Sequence, residues 1–202
     1  MYVPFQRRVR RLATGQKTDA FLGSDIMIED FLGYNGRIKD MTWRYVGGMN
    51  ALLPMYRHNE QAGLEDEQKD GFAFVSYGGT GGCFAQVTWQ LRPVFLLEGR
   101  PRDDGHPLSK RFFYVDAQTY AAPVGLIYDR AGKLWKLGLA GYSHPDHHAP
   151  ENAGSGTPIF DGASMIDLQA RHCTTLTVRA KINVEGLRGL DFQPGALRSQ
   201  GR

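Results

Sequence analysis

Several residue groups in this sequence have types and spacings that could do chemistry. His144, His147 and His148 stand together with Asp146, and two imidazoles with a carboxylate oxygen are a donor set that zinc accepts. The segment is proline-rich and does not read as a helix, so nothing in it fixes ligand geometry, and it reads as a solvated loop. Gly141-Tyr142-Ser143-His144-Pro145 approaches the GxSxG turn that exposes a nucleophilic serine, with proline in the last position and no helical pattern after it. Gly78-Gly79-Thr80-Gly81-Gly82 has the glycine content of a phosphate loop. No lysine follows, however, and the run enters strand-like sequence, so it reads as a turn. Glu65-Asp66 and Asp103-Asp104 read as solvated loop carboxylates.

Arg7, Arg8, Arg10 and Arg11 form the densest charge in the chain. Guanidinium forks suit phosphate or carboxylate oxygens. On a strand Arg8 and Arg10 share one face and Arg7 and Arg11 the other, which splits the patch and disfavours a nucleic-acid groove. A lipid head group, an anionic membrane surface, or an internal acid such as Asp25, Glu29 or Asp30 would each suit these arginines, and so would a purely structural ion-pair network.

The elements that must position these residues are mostly strands. Residues 2–12 read as one strand, and Ser24-Asp25 caps a short helical segment from Ile26 to Phe31. Residues 41–57 read as one or two strands with a bulge or hairpin at Gly47-Gly48. The clearest alternation sets Ala85, Val87, Trp89 and Leu91 against Gln86, Thr88, Gln90 and Arg92, continuing past Pro93 to Leu97. Residues 110–140 read as a meander with a hairpin loop at Asp129-Arg130-Ala131-Gly132. Residues 143–162 read as a long loop, residues 165–170 and 175–182 as strands, and Pro194 to Ser199 as a short helix. Sequential strands with short connections imply an antiparallel sheet.

Composition agrees with this. The chain has 202 residues, 42% apolar, with 24 basic against 21 acidic side chains and 25 glycines. A core is available, the charge is too even for an obligate nucleic-acid binder, and the glycine excess favours turn-rich β architecture. Collagen, coiled-coil, disulfide-scaffold and multi-pass membrane classes are excluded. Cys83 and Cys173 form neither a CxxC nor a metal spacing, and the sequence leaves open whether they pair. No signal peptide is legible before the arginine cluster.

Several segments taken in order carry a resemblance. They are Tyr2-Val3-Pro4 before the arginines, Gly23-Ser24-Asp25, Glu29-Asp30-Phe31 with Tyr34-Asn35-Gly36, Asp40 with Trp43, and Pro54-Met55-Tyr56. The longest is His106-Pro107-Leu108-Ser109-Lys110-Arg111-Phe112-Phe113-Tyr114-Val115-Asp116. Tyr128-Asp129, Gly132-Lys133-Leu134-Trp135, Asp191-Phe192-Gln193-Pro194 and Ala196-Leu197-Arg198 follow. In this order the chain resembles the C-terminal half of the domain of unknown function 1329 proteins, a LolA-like bacterial family. Ala13 and Pro93 depart from the family pattern, and residues 60–84 do not align.

The resemblance implies a mainly β fold: a curved antiparallel sheet, an unclosed LolA-like half-barrel with few short helices and an apolar concave face. It implies that residues 1–202 are a single domain, the C-terminal part of a longer protein of the periplasm or outer membrane. The function it implies is non-enzymatic binding of a lipid or other hydrophobic ligand, in the manner of a lipoprotein-sorting carrier. The partners would be a lipoprotein or envelope transporter, with peripheral membrane contact and self-association through an exposed sheet edge. The alternative is an interaction module of an envelope export system, and a serine hydrolase through Ser143 comes last. No cofactor, metal, catalytic residue or nucleic-acid partner is expected. The candidate ligand-facing residues are Trp43, Tyr45, Val87, Trp89, Leu91, Phe113 and Trp135, with Val115, Leu126, Leu176 and Val178 beside them. Arg8 and Arg10 are the candidate contacts to an anionic head group.

Overall fold

Period-two alternation and short polar turns dominate the chain from residue 41 onward, and they build one sheet. The computed structural model describes residues 17–55, 73–186, 193 and 196, with the backbone of 2–3, 8–9 and 63–65. Among these, seven strands form an antiparallel meander. They are β1 (Met41–Leu53), β2 (Gln90–Pro101), β3 (Leu108–Asp116), β4 (Val124–Asp129), β5 (Leu134–Ser143), β6 (Ile159–Asp167) and β7 (His172–Thr177). Each pairs only with its neighbours in sequence order, so β1 and β7 are edges and the sheet is not closed. No described helix is long and apolar enough to cross a membrane.

Register assigns the faces. Trp43 lies opposite Gly99, Gly99 opposite Arg111, and Arg111 opposite Ile127. One face therefore carries Trp43, Tyr45, Phe95, Leu97, Phe113 and Ile127, because side chains alternate along a strand. The other carries Tyr114, Leu139 and Ile166, part of two smaller buried clusters. The disulfide between Cys83 and Cys173 ties the hairpin Tyr77–Gly78/Phe84–Ala85 to β7 on that second side. Gly79, Gly81 and Gly82 all have φ near +70° there, so the glycine run is a turn.

Several sequence expectations are corrected. Of the readings offered for residues 41–57, the single bulged strand holds, over residues 41–53, with the extra residue at Val46 just before Gly47-Gly48 and not at the glycines themselves. The alternation over 85–92 is not one strand: Gln86 to Trp89 leave the sheet, and Trp89 Nε1 donates to the Ala85 carbonyl at 3.3 Å, folding the chain back on itself. Val87 and Trp89 are therefore not on a sheet face. Pro93 is tolerated inside β2 because it lies past the end of the β2–β3 ladder, where its carbonyl accepts Ala117 N–H. The loop expected over 143–162 is shorter, since β6 begins at Ile159. Strand β7 stops at Thr177, after which Ala180 and Ile182 bond to Asn152 instead. Residues 2–12 are not one strand either, because Tyr2–Val3 pairs with Arg8–Val9. The side chain of Arg8, the whole of Arg10, and most of the helix expected over 194–199 lie outside the described residues.

Candidate functional site

A segment without regular helix roofs the first face. Over residues 17–40 it forms short 3-10 turns, including Ile28–Asp30, in place of the helical segment expected from Ile26 to Phe31. Ile26 and Met27 are buried against Leu108, Ile127 and Met165, with Phe31, Trp135 and Leu176 packed around them. Burial of apolar side chains contributes roughly 1.5–3 kcal/mol each, so this contact is the main attraction between roof and sheet.

Polar contacts fasten the roof to four strands. Asp25 accepts Thr174 Oγ1–H from β7 at 2.8 Å and faces His172 Nδ1 at 2.7 Å. Lys136 of β5 donates to the Asp25 carbonyl at 2.5 Å. Trp43 Nε1 of β1 donates to the Ile38 carbonyl at 2.8 Å. Arg111 of β3 donates to Glu29, and to Asp30 Oδ1 at 3.1 Å. Both acids and the guanidinium are at most 3% exposed. Burial pushes the Asp30 carboxyl above its usual range, against the lowering pull of Arg111. Behind Glu29, His106 Nδ1 accepts Leu108 N–H, which leaves the proton on Nε2 to be donated to Glu29. The acids offered by the sequence to the N-terminal arginines are thus engaged by Arg111, His172 and Thr174.

Between roof and sheet lies an apolar groove with a cavity of about 70 Å³. Its floor consists of small residues on adjacent strands: Gly125, Gly138, Ala140 and Ala163. In register, Gly125 faces Gly138 and Ala140 faces Ala163. The small side chains make the depth: a Cβ added at Gly138 would touch Met165 at 3.5 Å and take up the space. Phe113, Ile127, Phe160, Met165 and Leu176 form the walls, and Phe31, Leu32 and Gly33 the roof. Leu32 stands at the mouth, 76% exposed. Among the described residues, Arg111 and Asp30 put the only charged groups into the lining. On the far side of the Arg111–Glu29 pair is a larger, polar cavity of about 610 Å³, bordered by Lys17, Lys39, Arg102, Glu29, Asp40 and Asp103.

Of the residues chosen from the sequence, Phe113 lines the groove. Trp43 lies beside it with ring centroids 6.0 Å apart and planes tilted by 33°, closing over Gly99, where a Cβ would sit 2.9 Å from the indole. Tyr45 lies further along the same face and is 60% exposed. Leu91 is exposed near the end of β2, distant in register from the groove. Trp135 packs on the roof cluster and donates to Asp167 at 2.7 Å. Leu176 lines the groove. Ser143 is fully buried and donates to the Asp161 carboxylate, which also accepts Val75 N–H at 3.2 Å, with the Ala73 carbonyl 3.0 Å from its hydroxyl, so it stitches Ala73–Val75 to the sheet and is not presented at an exposed elbow. The histidine segment does contain one helical turn, Pro145–His148, with proline at its start. His144 Nδ1 accepts Asp146 N–H there, and His148 Nδ1 accepts His144 N–H. Among the described residues no group of three His, Cys, Asp or Glu side chains is placed to hold a metal ion. Sequence reasoning missed Arg111 and the small-residue floor. The signal for Arg111 was a charge in register with Phe113 and Val115.

An unclosed antiparallel sheet roofed by short turns over an apolar groove defines a class of protein rather than a chemistry. The chain belongs to the family described as protein of unknown function (DUF1329), whose model matches residues 1–198. It is similar to a solved domain of a putative outer membrane lipoprotein-sorting protein from Vibrio parahaemolyticus (TM-score 0.61, 19% identity), covering 98% of this chain and 64% of that one. A DUF1329 family protein from Desulfovibrio piger gives a TM-score of 0.58 at 18% identity, covering 97% and 62%. A LolA superfamily protein from Nitrosomonas europaea gives 0.48 at 13%, covering 88% and 59%. The chain therefore spans less than two thirds of these solved chains. No curated protein matches the sequence.

Proposed function

We propose that the chain is a non-enzymatic carrier-like protein of the bacterial envelope that holds a lipid or other hydrophobic ligand in the groove under residues 26–33. The observation that carries the reading is the strip of Gly125, Gly138, Ala140 and Ala163. It keeps apolar space open between two layers that otherwise pack closely. Each methylene moved from water into that space contributes about 0.8 kcal/mol. The Cys83–Cys173 disulfide supports an oxidising compartment such as the periplasm. The Vibrio relative's description as a putative lipoprotein-sorting domain supports the carrier reading. In this reading a lipoprotein or an envelope transporter exchanges the ligand, with peripheral membrane contact. Phe113 is the ligand contact in the groove, with Trp43 beside it. Tyr45, Leu91, Trp89, Val87 and Trp135 lie outside the groove, and the proposal gives them no ligand contact.

The second reading, an interaction module without ligand, draws support from the apolar residues exposed on and beside edge strand β1: Tyr45, Met49, Leu52 and Leu91. A titration with a decyl-chain probe separates the two. Saturable one-to-one binding that Ala163→Leu abolishes supports the carrier. Binding that persists in Ala163→Leu, or no binding, favours the module.

A further inference from the structure

We propose that the groove selects a single acyl chain carrying a neutral carbonyl, an ester or amide, whose oxygen accepts the Nε–H of Arg111. The inference rests on the carrier reading and names the ligand's chemistry. Arg111 is 1% exposed and lines the groove. Its terminal nitrogens are taken by Glu29 and Asp30 and its guanidinium lies over the Tyr34 ring at 5.2 Å, while its buried Nε–H has no hydrogen-bond partner among the described residues. A buried N–H left unsatisfied is costly, so a ligand oxygen placed there gains more than one placed in water.

Charge decides what kind of oxygen. One guanidinium already faces two buried carboxylates. His106 holds Glu29 through Nε2–H without needing a positive charge of its own. Lys136, the next cation, is directed at the Asp25 carbonyl over the Trp135 ring. A ligand carboxylate would be a third buried anion against two cations, and like charges in a poorly hydrated site repel strongly. A ligand ammonium has no lone pair to offer. An ester or amide carbonyl supplies the lone pair and no charge. Room limits the rest: at about 70 Å³, less than half the ~150 Å³ apolar cavity that admits benzene, the cavity takes a short stretch of one chain and not a bundle, and the remainder of a longer chain lies along the open mouth at Leu32.

Four ten-carbon probes test this by calorimetric titration at pH 7.5: methyl decanoate, decanamide, decanoate and decane. The ester or the amide, or both, should bind at least tenfold tighter than decanoate and severalfold tighter than decane. An ester preference points to O-acyl lipids as the source, and an amide preference to N-acylated protein or lipid. Decanoate binding as tightly as both neutral carbonyls, or decane doing so, overturns the inference while leaving the carrier reading intact. Failure of all four overturns both. Arg111→Lys, which removes the Nε–H and keeps a cation, should reduce the carbonyl preference to less than twofold. If Arg111→Lys does not fold, the combined Arg111→Met, Glu29→Gln and Asp30→Asn variant, which removes the guanidinium together with both of its carboxylates, gives the same reading. A preference that survives both variants overturns the inference.

Discussion

Arg111 in the middle of the sheet and Glu29 in the roof are ion-paired across 82 residues of chain, with neither side chain more than 3% exposed. Arg111, with Asp30 beside it, is the charged end of a mainly apolar groove, and its pairing with Glu29 fixes the roof over the small-residue floor.

Breaking that pair on one side should be severe. Arg111→Met leaves two carboxylates buried without their cation, and removing one partner of a buried pair costs about 3–5 kcal/mol. Adding Glu29→Gln and Asp30→Asn should recover most of the loss, because amides need no counter-charge. Urea unfolding of the single and triple variants measures both numbers.

Acid should act oppositely on two buried aspartates. Burial raises Asp30, so the native state favours its protonated form; that contribution is present below the usual carboxylate range and lost as pH rises through the raised pKa. Asp30→Asn is therefore expected to be more stable than the parent at pH 7, with the advantage disappearing in acid. Burial also pushes Asp116 upward, but Arg92, in bidentate contact at 2.6 and 2.9 Å, and Thr119 outweigh it and hold Asp116 below that range. Asp116→Asn should cost about 1.5–3 kcal/mol at pH 7, and the difference should shrink as pH falls through the lowered pKa. Thermal melts across pH 3–7 compare the two variants with the parent.

Filling the floor should close the groove without dismantling the sheet. Ala163→Leu places a branched side chain opposite Ala140, at an expected overpacking cost of about 1–3 kcal/mol. Binding of a decyl ester should weaken at least tenfold, read by the same calorimetric titration.

The disulfide spans 90 residues of sequence, and removing a native bridge typically costs about 2–5 kcal/mol. Cys83→Ser with Cys173→Ser should lower stability by that amount. Hydrogen exchange should quicken first in the hairpin at residues 77–85, which the bridge anchors.

Much of the sheet was legible because the turns at Ala117–Thr119 and Asp129–Gly132 divide residues 110–140 into the three apolar-rich strands β3, β4 and β5. The strand expected over 85–92 failed because alternation says nothing about what Trp89 bonds to: its indole turns back to Ala85, and the neighbouring Cys83 is tied to β7. Strand β6 was hidden at its start because Asp161 is the extra residue of a bulge, where the register slips between Gly141 and Tyr142. Of the groove, Phe113 was legible as an apolar residue on an alternating strand. Arg111 was read only as part of a resemblance, since a charge usually faces solvent and its partners lie 81 and 82 residues away. The floor escaped because a glycine or alanine in a strand reads as an absence, and only register shows four of them side by side.

The most direct test of the carrier account is native mass spectrometry of the protein purified from an oxidising bacterial envelope without detergent. The account predicts a one-to-one adduct of a single-chain acyl ester or amide mass, present on the parent and missing from Ala163→Leu that is folded under the same conditions. A parent that carries no adduct and takes up none of the ten-carbon probes, or an adduct retained in full by Ala163→Leu, would contradict it.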